Sequence, residues 1–108
     1  MSDTNSMKEL IMNNKRIINE KLYNEENGLH IAATCNYVEL AILLIQNDID
    51  INKKDVFGRT PLMISCEKGH IKIVEVLLTK KNIDINIQDK EGNTAAILGK
   101  EQNKINNI

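Results

Sequence analysis

Residues 58–70 read G-R-T-P-L-M-I-S-C-E-K-G-H and put a thiol, Cys66, and an imidazole, His70, four residues apart. That pairing raises thiol catalysis, which needs a base within hydrogen-bond reach of the sulfur, a third group to orient the base, and an exposed electropositive setting. The second imidazole, His30, has no further ligand at a spacing that would complete a zinc site. Cys35 and Cys66 form neither a disulfide framework nor a C-x-x-C pair. Asp50, Asp55, Asp84 and Asp89 could supply acid–base chemistry, but they recur at regular intervals and sit in turn-like text, where Asp bonds its own backbone. No phosphate-cradling glycine loop is present. Whether Cys66 and His70 are reactive or architectural depends on whether their surroundings occur once or recur.

They recur. A shift of 33 residues lays 29–45 (L-H-I-A-A-T-C-N-Y-V-E-L-A-I-L-L-I) over 62–78 (L-M-I-S-C-E-K-G-H-I-K-I-V-E-V-L-L). Leu29 falls on Leu62, Val38 on Ile71 and Leu40 on Ile73, while Ala33 and Tyr37 stand where Cys66 and His70 do. D-I-N at 50–52 returns at 84–86, an offset of 34, and Gly58-x-Thr60 returns as Gly92-x-Thr94. Two copies and a partial third follow, with boundaries expected at 23–54, 55–88 and 89–108 after a segment of residues 1–22.

Within a copy the punctuation predicts two antiparallel helices and a turn. Thr60 is an N-cap, Pro61 suits the first helical position, and Gly69 supplies a left-handed stop after Lys68. A second helix is expected over 71–79, with Ile73, Val74, Leu77 and Leu78 on one face. An I-D-I-N arm then leads into D-V-F-G or D-K-E-G, turns with glycine where φ is positive. One such unit cannot bury its apolar face alone, so copies must stack into a solenoid. In that register Cys66 is a buried small residue, and Leu62 and Ile64 fill the same inner side. Copy 1 has N-G where copy 2 has T-P. Either Asn27 caps a helix beginning at Gly28, or two residues are deleted and Gly28 is the turn glycine.

The stretch G58-x-T-P-L, with G-H at 69–70, I-V and L-L in the second helix, D-I-N and D89-x-x-G-x-T94, resembles the ankyrin repeat. The resemblance covers roughly residues 22 to 102. It implies an all-α fold, a solenoid of stacked helix-turn-helix units with β-turn, hairpin-like connecting loops. It also implies that His30 bonds backbone across neighbouring turns. Residues 7–22 carry an apolar stripe (Met7, Leu10, Ile11, Ile17, Ile18) and read as an N-terminal capping helix or worn-down repeat, with a partner-binding helix as the alternative.

Charge is balanced, 14 Lys and Arg against 15 Asp and Glu, so the basic stripe of a nucleic-acid binder is missing. The longest apolar run, Ala41–Ile45, is far short of a membrane span, and no signal-peptide core precedes it. The expectation is an intracellular protein, cytoplasmic or nucleocytoplasmic, with no cofactor or metal, non-catalytic, and binding another protein rather than nucleic acid or membrane. Family members bind partners through turn tips and the exposed side of first helices. Carried over, these are Val56, Phe57, Arg59, Glu67 and Lys68 in copy 2 and Lys90, Glu91 and Asn93 in copy 3. In copy 1 they are Thr34 and Cys35, with Tyr23, Asn24 and Glu26 dependent on the open register. Phe57 is the only Phe in the chain and sits on a tip that needs no aromatic. Two rival readings stand beside this one. The chain is a structural segment, a monomer or a self-associating one, whose truncated copy 3 leaves 71–87 to be covered from elsewhere. Alternatively Asn52 and Asn86, which resemble ankyrin asparagines that hydroxylases modify, make it a substrate.

Overall fold

The computed structural model describes residues 27–106, so the expectations for residues 7–22 and for Tyr23, Asn24 and Glu26 fall outside the described residues. Five helices follow in order: α1 (Gly28–Cys35), α2 (Val38–Gln46), α3 (Pro61–Lys68), α4 (Ile71–Leu78) and α5 (Ala95–Asn106). No strand occurs among the described residues. The first helices stack in one row, α3 between α1 and α5, and α4 packs on α2 in a second row.

Local chemistry explains each boundary. The Thr60 hydroxyl accepts from the Met63 amide (3.3 Å), Pro61 occupies the first helical position, and Gly69 ends α3 at φ 71°. In copy 1 the stop is Asn36, which adopts φ 59° in place of a glycine. The open register resolves in favour of a capped helix. Asn27, 1% exposed, accepts from the Leu29 and His30 amides, and Gly28 takes the position of Pro61. The Asn27 side chain also donates to the Asp50 carbonyl (2.9 Å), tying the start of α1 to the arm that follows α2.

The connecting loops are hairpin-like turns. Asp55 and Arg59 close one through an amide-to-carbonyl bond of 2.9 Å, and Asp89 and Asn93 close the next at the same length. Inside each, an Asp carboxylate accepts two amides, Phe57 and Arg59 at Asp55 and Glu91 and Asn93 at Asp89, all at 2.8–2.9 Å. The recurring aspartates are therefore scaffold, as their spacing suggests.

One core runs through the stack, with Leu29, Met63, Ile73 and Leu77 fully buried. Three expectations need correction. Leu78 is not on the buried face of α4: it is 51% exposed, because among the described helices none packs on that side of α4 in the way α4 packs on α2. Cys66 is half-buried rather than enclosed like its counterpart Ala33, packed against the core and facing α5 at Gly99. α4 also ends one residue early, at Leu78.

Candidate functional site

The two imidazoles come first, since they raised the question of chemistry. His30 is 0% exposed. Its Nε2–H donates to the Arg59 carbonyl (2.9 Å) and its Nδ1 accepts the Asn27 amide (3.1 Å). This ring therefore links the cap of α1 to the turn of the next copy, the role implied by the resemblance. His70 donates from Nδ1 to the Ala33 carbonyl (2.8 Å), so it too binds one copy to its neighbour. Sequence reasoning put His70 at a turn and missed this bond, because its acceptor lies 37 residues away. Burial pushes the Cys66 thiol up, away from the thiolate a nucleophile requires. With His70 committed to Ala33, the Cys66–His70 spacing builds no nucleophile–base pair. Among the described residues no group of His, Cys, Asp and Glu could hold a metal ion.

The tip residues behave differently. Phe57, Arg59, Glu67, Lys90 and Glu91, all singled out from the sequence, line one shallow depression of about 310 Å³ together with Asp89 and Leu98. Two loops and two helices bring them together. The Lys90 amide donates to the Phe57 carbonyl (3.2 Å), joining adjacent turn tips, and Gly58 is buried between them. The Arg59 guanidinium forms an ion pair with Glu67 across one turn-to-helix step, while its Nε is buried with no hydrogen-bond partner. Desolvation raises the Asp89 carboxyl, but the Asn93 and Glu91 amides and the nearby Arg59 charge outweigh it and hold Asp89 below the usual carboxylate range. Leu98, 4% exposed, lends the depression an apolar wall, and Phe57 stands 58% exposed at its rim.

Val56, Lys68 and Asn93 do not line this depression. Val56 is half-buried, Lys68 is exposed beyond Glu67 at the end of α3, and the Asn93 amide serves the Asp89 turn. Thr34 and Cys35 are exposed at the end of α1, with the Thr34 hydroxyl donating back to the His30 carbonyl (2.9 Å). Asp89 and Leu98 are the members that sequence reading passed over: one looked like pure turn scaffold, the other like core. The arrangement is an open surface of mixed charge whose apolar parts are Leu98 and Phe57.

Among the described residues no helix is long and apolar enough to cross a membrane. The family model for ankyrin repeats, in three copies, matches residues 2–102. The match begins about twenty residues before the motif resemblance does. A probable E3 ubiquitin-protein ligase of rice, XBOS32, is 30% identical over 74 residues, 68% of this chain and 15% of that protein. The E3 ubiquitin-protein ligase XBAT33 of Arabidopsis thaliana is 40% identical over 47 residues, 44% of this chain and 9% of that protein. A putative ankyrin repeat protein of fowlpox virus, FPV219, is 40% identical over 48 residues, 44% of this chain and 11% of that protein. The aligned stretches thus span 9–15% of these relatives' length.

Proposed function

This chain belongs to the ankyrin-repeat family, and from that premise we propose that it is a non-catalytic protein-binding module whose contact surface centres on the Phe57–Lys90 depression. Repeats of this family are generally protein-interaction modules. The observation that carries the placement is the convergence of five tip and helix residues on one depression whose rim bears an aromatic exposed for no packing reason. A partner side chain seated against Phe57 and Leu98 brings apolar burial. Val56, Lys68 and Asn93 would form the periphery, where contacts exclude water more than they supply energy. A standard interface here buries about 600–800 Å² per side. The ligase names of the plant relatives describe whole proteins of which the aligned part is a small share. For this chain the proposal stops at binding a protein.

Asparagine hydroxylation has less support. The Asn52 side chain donates to the Asn82 carbonyl (2.8 Å) and accepts the Asp84 amide (2.9 Å), so it already has a structural role.

The test compares wild-type chain with Phe57→Ala and Arg59→Glu, immobilised and exposed to extract of the source cell. Each substitution is expected to weaken capture of a specific partner by about tenfold or more, with unfolding midpoints unchanged for Phe57→Ala. A partner retained equally by wild type and both variants overturns the placement.

A further inference from the structure

The residue that caps the first helix differs in kind from copy to copy. It is Asn27 in copy 1, Thr60 in copy 2 and Thr94 in copy 3. All three accept amides of the first turn: Leu29 and His30 at Asn27, Met63 at Thr60 and Ile97 at Thr94. As caps an amide and a hydroxyl do the same work. In reactivity they differ, because only the asparagine carries a carbonyl carbon with a leaving group. It also precedes a glycine, and Asn27–Gly28 is the one Asn-Gly step in the chain.

Asparagine is a thermolabile residue, since its side-chain amide is open to attack by the backbone nitrogen of the residue that follows. Glycine hinders that attack least because it has no Cβ. The fold has its own use for the small residue here. A Cβ on Gly28 would stand 3.2 Å from the Leu44 Cδ1 methyl, so α1 begins in close contact with α2. The Gly28 amide is also a first-turn N–H, for which the helix itself provides no carbonyl.

We propose that Asn27 is a site of spontaneous deamidation, closed while the cap is formed and open whenever the start of α1 comes loose, and that its product cannot rebuild the joint between cap and arm. The Gly28 nitrogen gives its proton to solvent and attacks Asn27 Cγ. The new C–N bond closes a succinimide ring, the Cγ–Nδ2 bond breaks, and ammonia leaves after taking up a proton. Water then adds to one of the two ring carbonyls and opens the ring, leaving aspartate or isoaspartate at position 27. Nothing is oxidised or reduced.

The folded cap blocks the first step. Asn27 is buried and extended, at φ −118° and ψ −179°. Its Oδ1 accepts from the Leu29 and His30 amides at 3.0 and 3.3 Å, and the leaving nitrogen, Nδ2, is held by the Asp50 carbonyl at 2.9 Å. Ring closure needs a rotation that brings Cγ onto the Gly28 nitrogen, and each of these bonds opposes it.

The product lacks what the joint needs. Aspartate still accepts from the two helix amides, but an oxygen replaces Nδ2 and faces the Asp50 carbonyl with no proton between them. A buried charge is then left against a carbonyl oxygen. Isoaspartate routes the main chain through Cγ and lengthens it by a methylene, which displaces the backbone amide that bonds His30 Nδ1 (3.1 Å). Refolding reverses neither change. No residue of the Phe57–Lys90 depression takes part, so this site stands or falls independently of the proposed function.

The test incubates the full chain in mildly alkaline buffer, folded and in denaturing urea. Intact mass and peptide mapping that separates aspartate from isoaspartate follow the conversion. In urea Asn27 is expected to convert before any other asparagine, and in the folded chain at least about tenfold more slowly. Gly28→Ala should slow the conversion severalfold in urea, where its effect on folding plays no part. Asn27→Asp, which installs one product directly, should lower the thermal midpoint of the folded chain by about 4–8 °C. Three results overturn the proposal: conversion of Asn27 as fast in the folded chain as in urea, another asparagine converting first in urea, or a wild-type midpoint for Asn27→Asp.

Discussion

Replacing His30 by Ala is expected to cost about 2–4 kcal/mol of folding stability and to lower the thermal midpoint by about 10–20 °C. The ring is fully buried and bonded through both nitrogens, to the Asn27 amide and the Arg59 carbonyl. Its removal leaves a cavity, an unpaired cap amide and a looser joint between two copies. Repeat stacks draw much of their stability from such joints, so the loss is felt across the molecule. Two variants separate the contributions. His30→Met imitates Met63, which fills the same place in copy 2 without polar contacts, and should recover the packing part of the loss. His70→Ala removes a half-buried ring with one bond, to Ala33, and should cost only about 1 kcal/mol. Urea unfolding followed by circular dichroism measures all three. Equal losses for His30→Ala and His70→Ala would show that the His30 bridge is not the stronger joint.

Gly58→Ala and Gly92→Ala form the second experiment, in which two glycines of nearly identical backbone are predicted to behave differently. Their φ angles are 77° and 83°, so an added Cβ meets the same left-handed strain at both, about 1–2 kcal/mol. At Gly92 nothing lies within 4 Å of the new carbon. At Gly58 it lands 3.1 Å from the Lys90 nitrogen and 3.3 Å from the Asp89 Cα, backbone atoms that cannot rotate away. Gly58→Ala must therefore part the two turn tips, break the bond from the Lys90 amide to the Phe57 carbonyl, and cost about 3 kcal/mol or more in total. The same movement separates Phe57 from Lys90, so any partner held in their depression should be lost with it. Unfolding curves that place the two variants within about 0.5 kcal/mol of each other would mean that the tips do not press together as described.

Much of the fold was legible because its signals are short. Thr60, Pro61 and Gly69 bound α3 through interactions spanning three or four residues, and each Asp closes its turn through amides two and four residues on. Such effects belong to the segment itself. The start of α1 was ambiguous for a physical reason: Asn27 and Gly28 suit a cap as well as a turn. The deciding bonds, from Asn27 to Asp50 and from Asn27 to His30, include a partner 23 residues away. Of the candidate site, the tip residues were nameable from register, but their convergence with Asp89 and Leu98 required two loops to touch.

By itself the sequence determined the period, the boundaries of α3 and the turn glycines. These follow from backbone preferences and hydrogen bonds within a few residues of chain. Only the tertiary structure decided which members of equivalent pairs are covered: Ile45 buried and Leu78 exposed, Ala33 enclosed and Cys66 half-open. Burial is not a property of a residue but of whether a neighbouring copy lies against it, and the two copies have different neighbours.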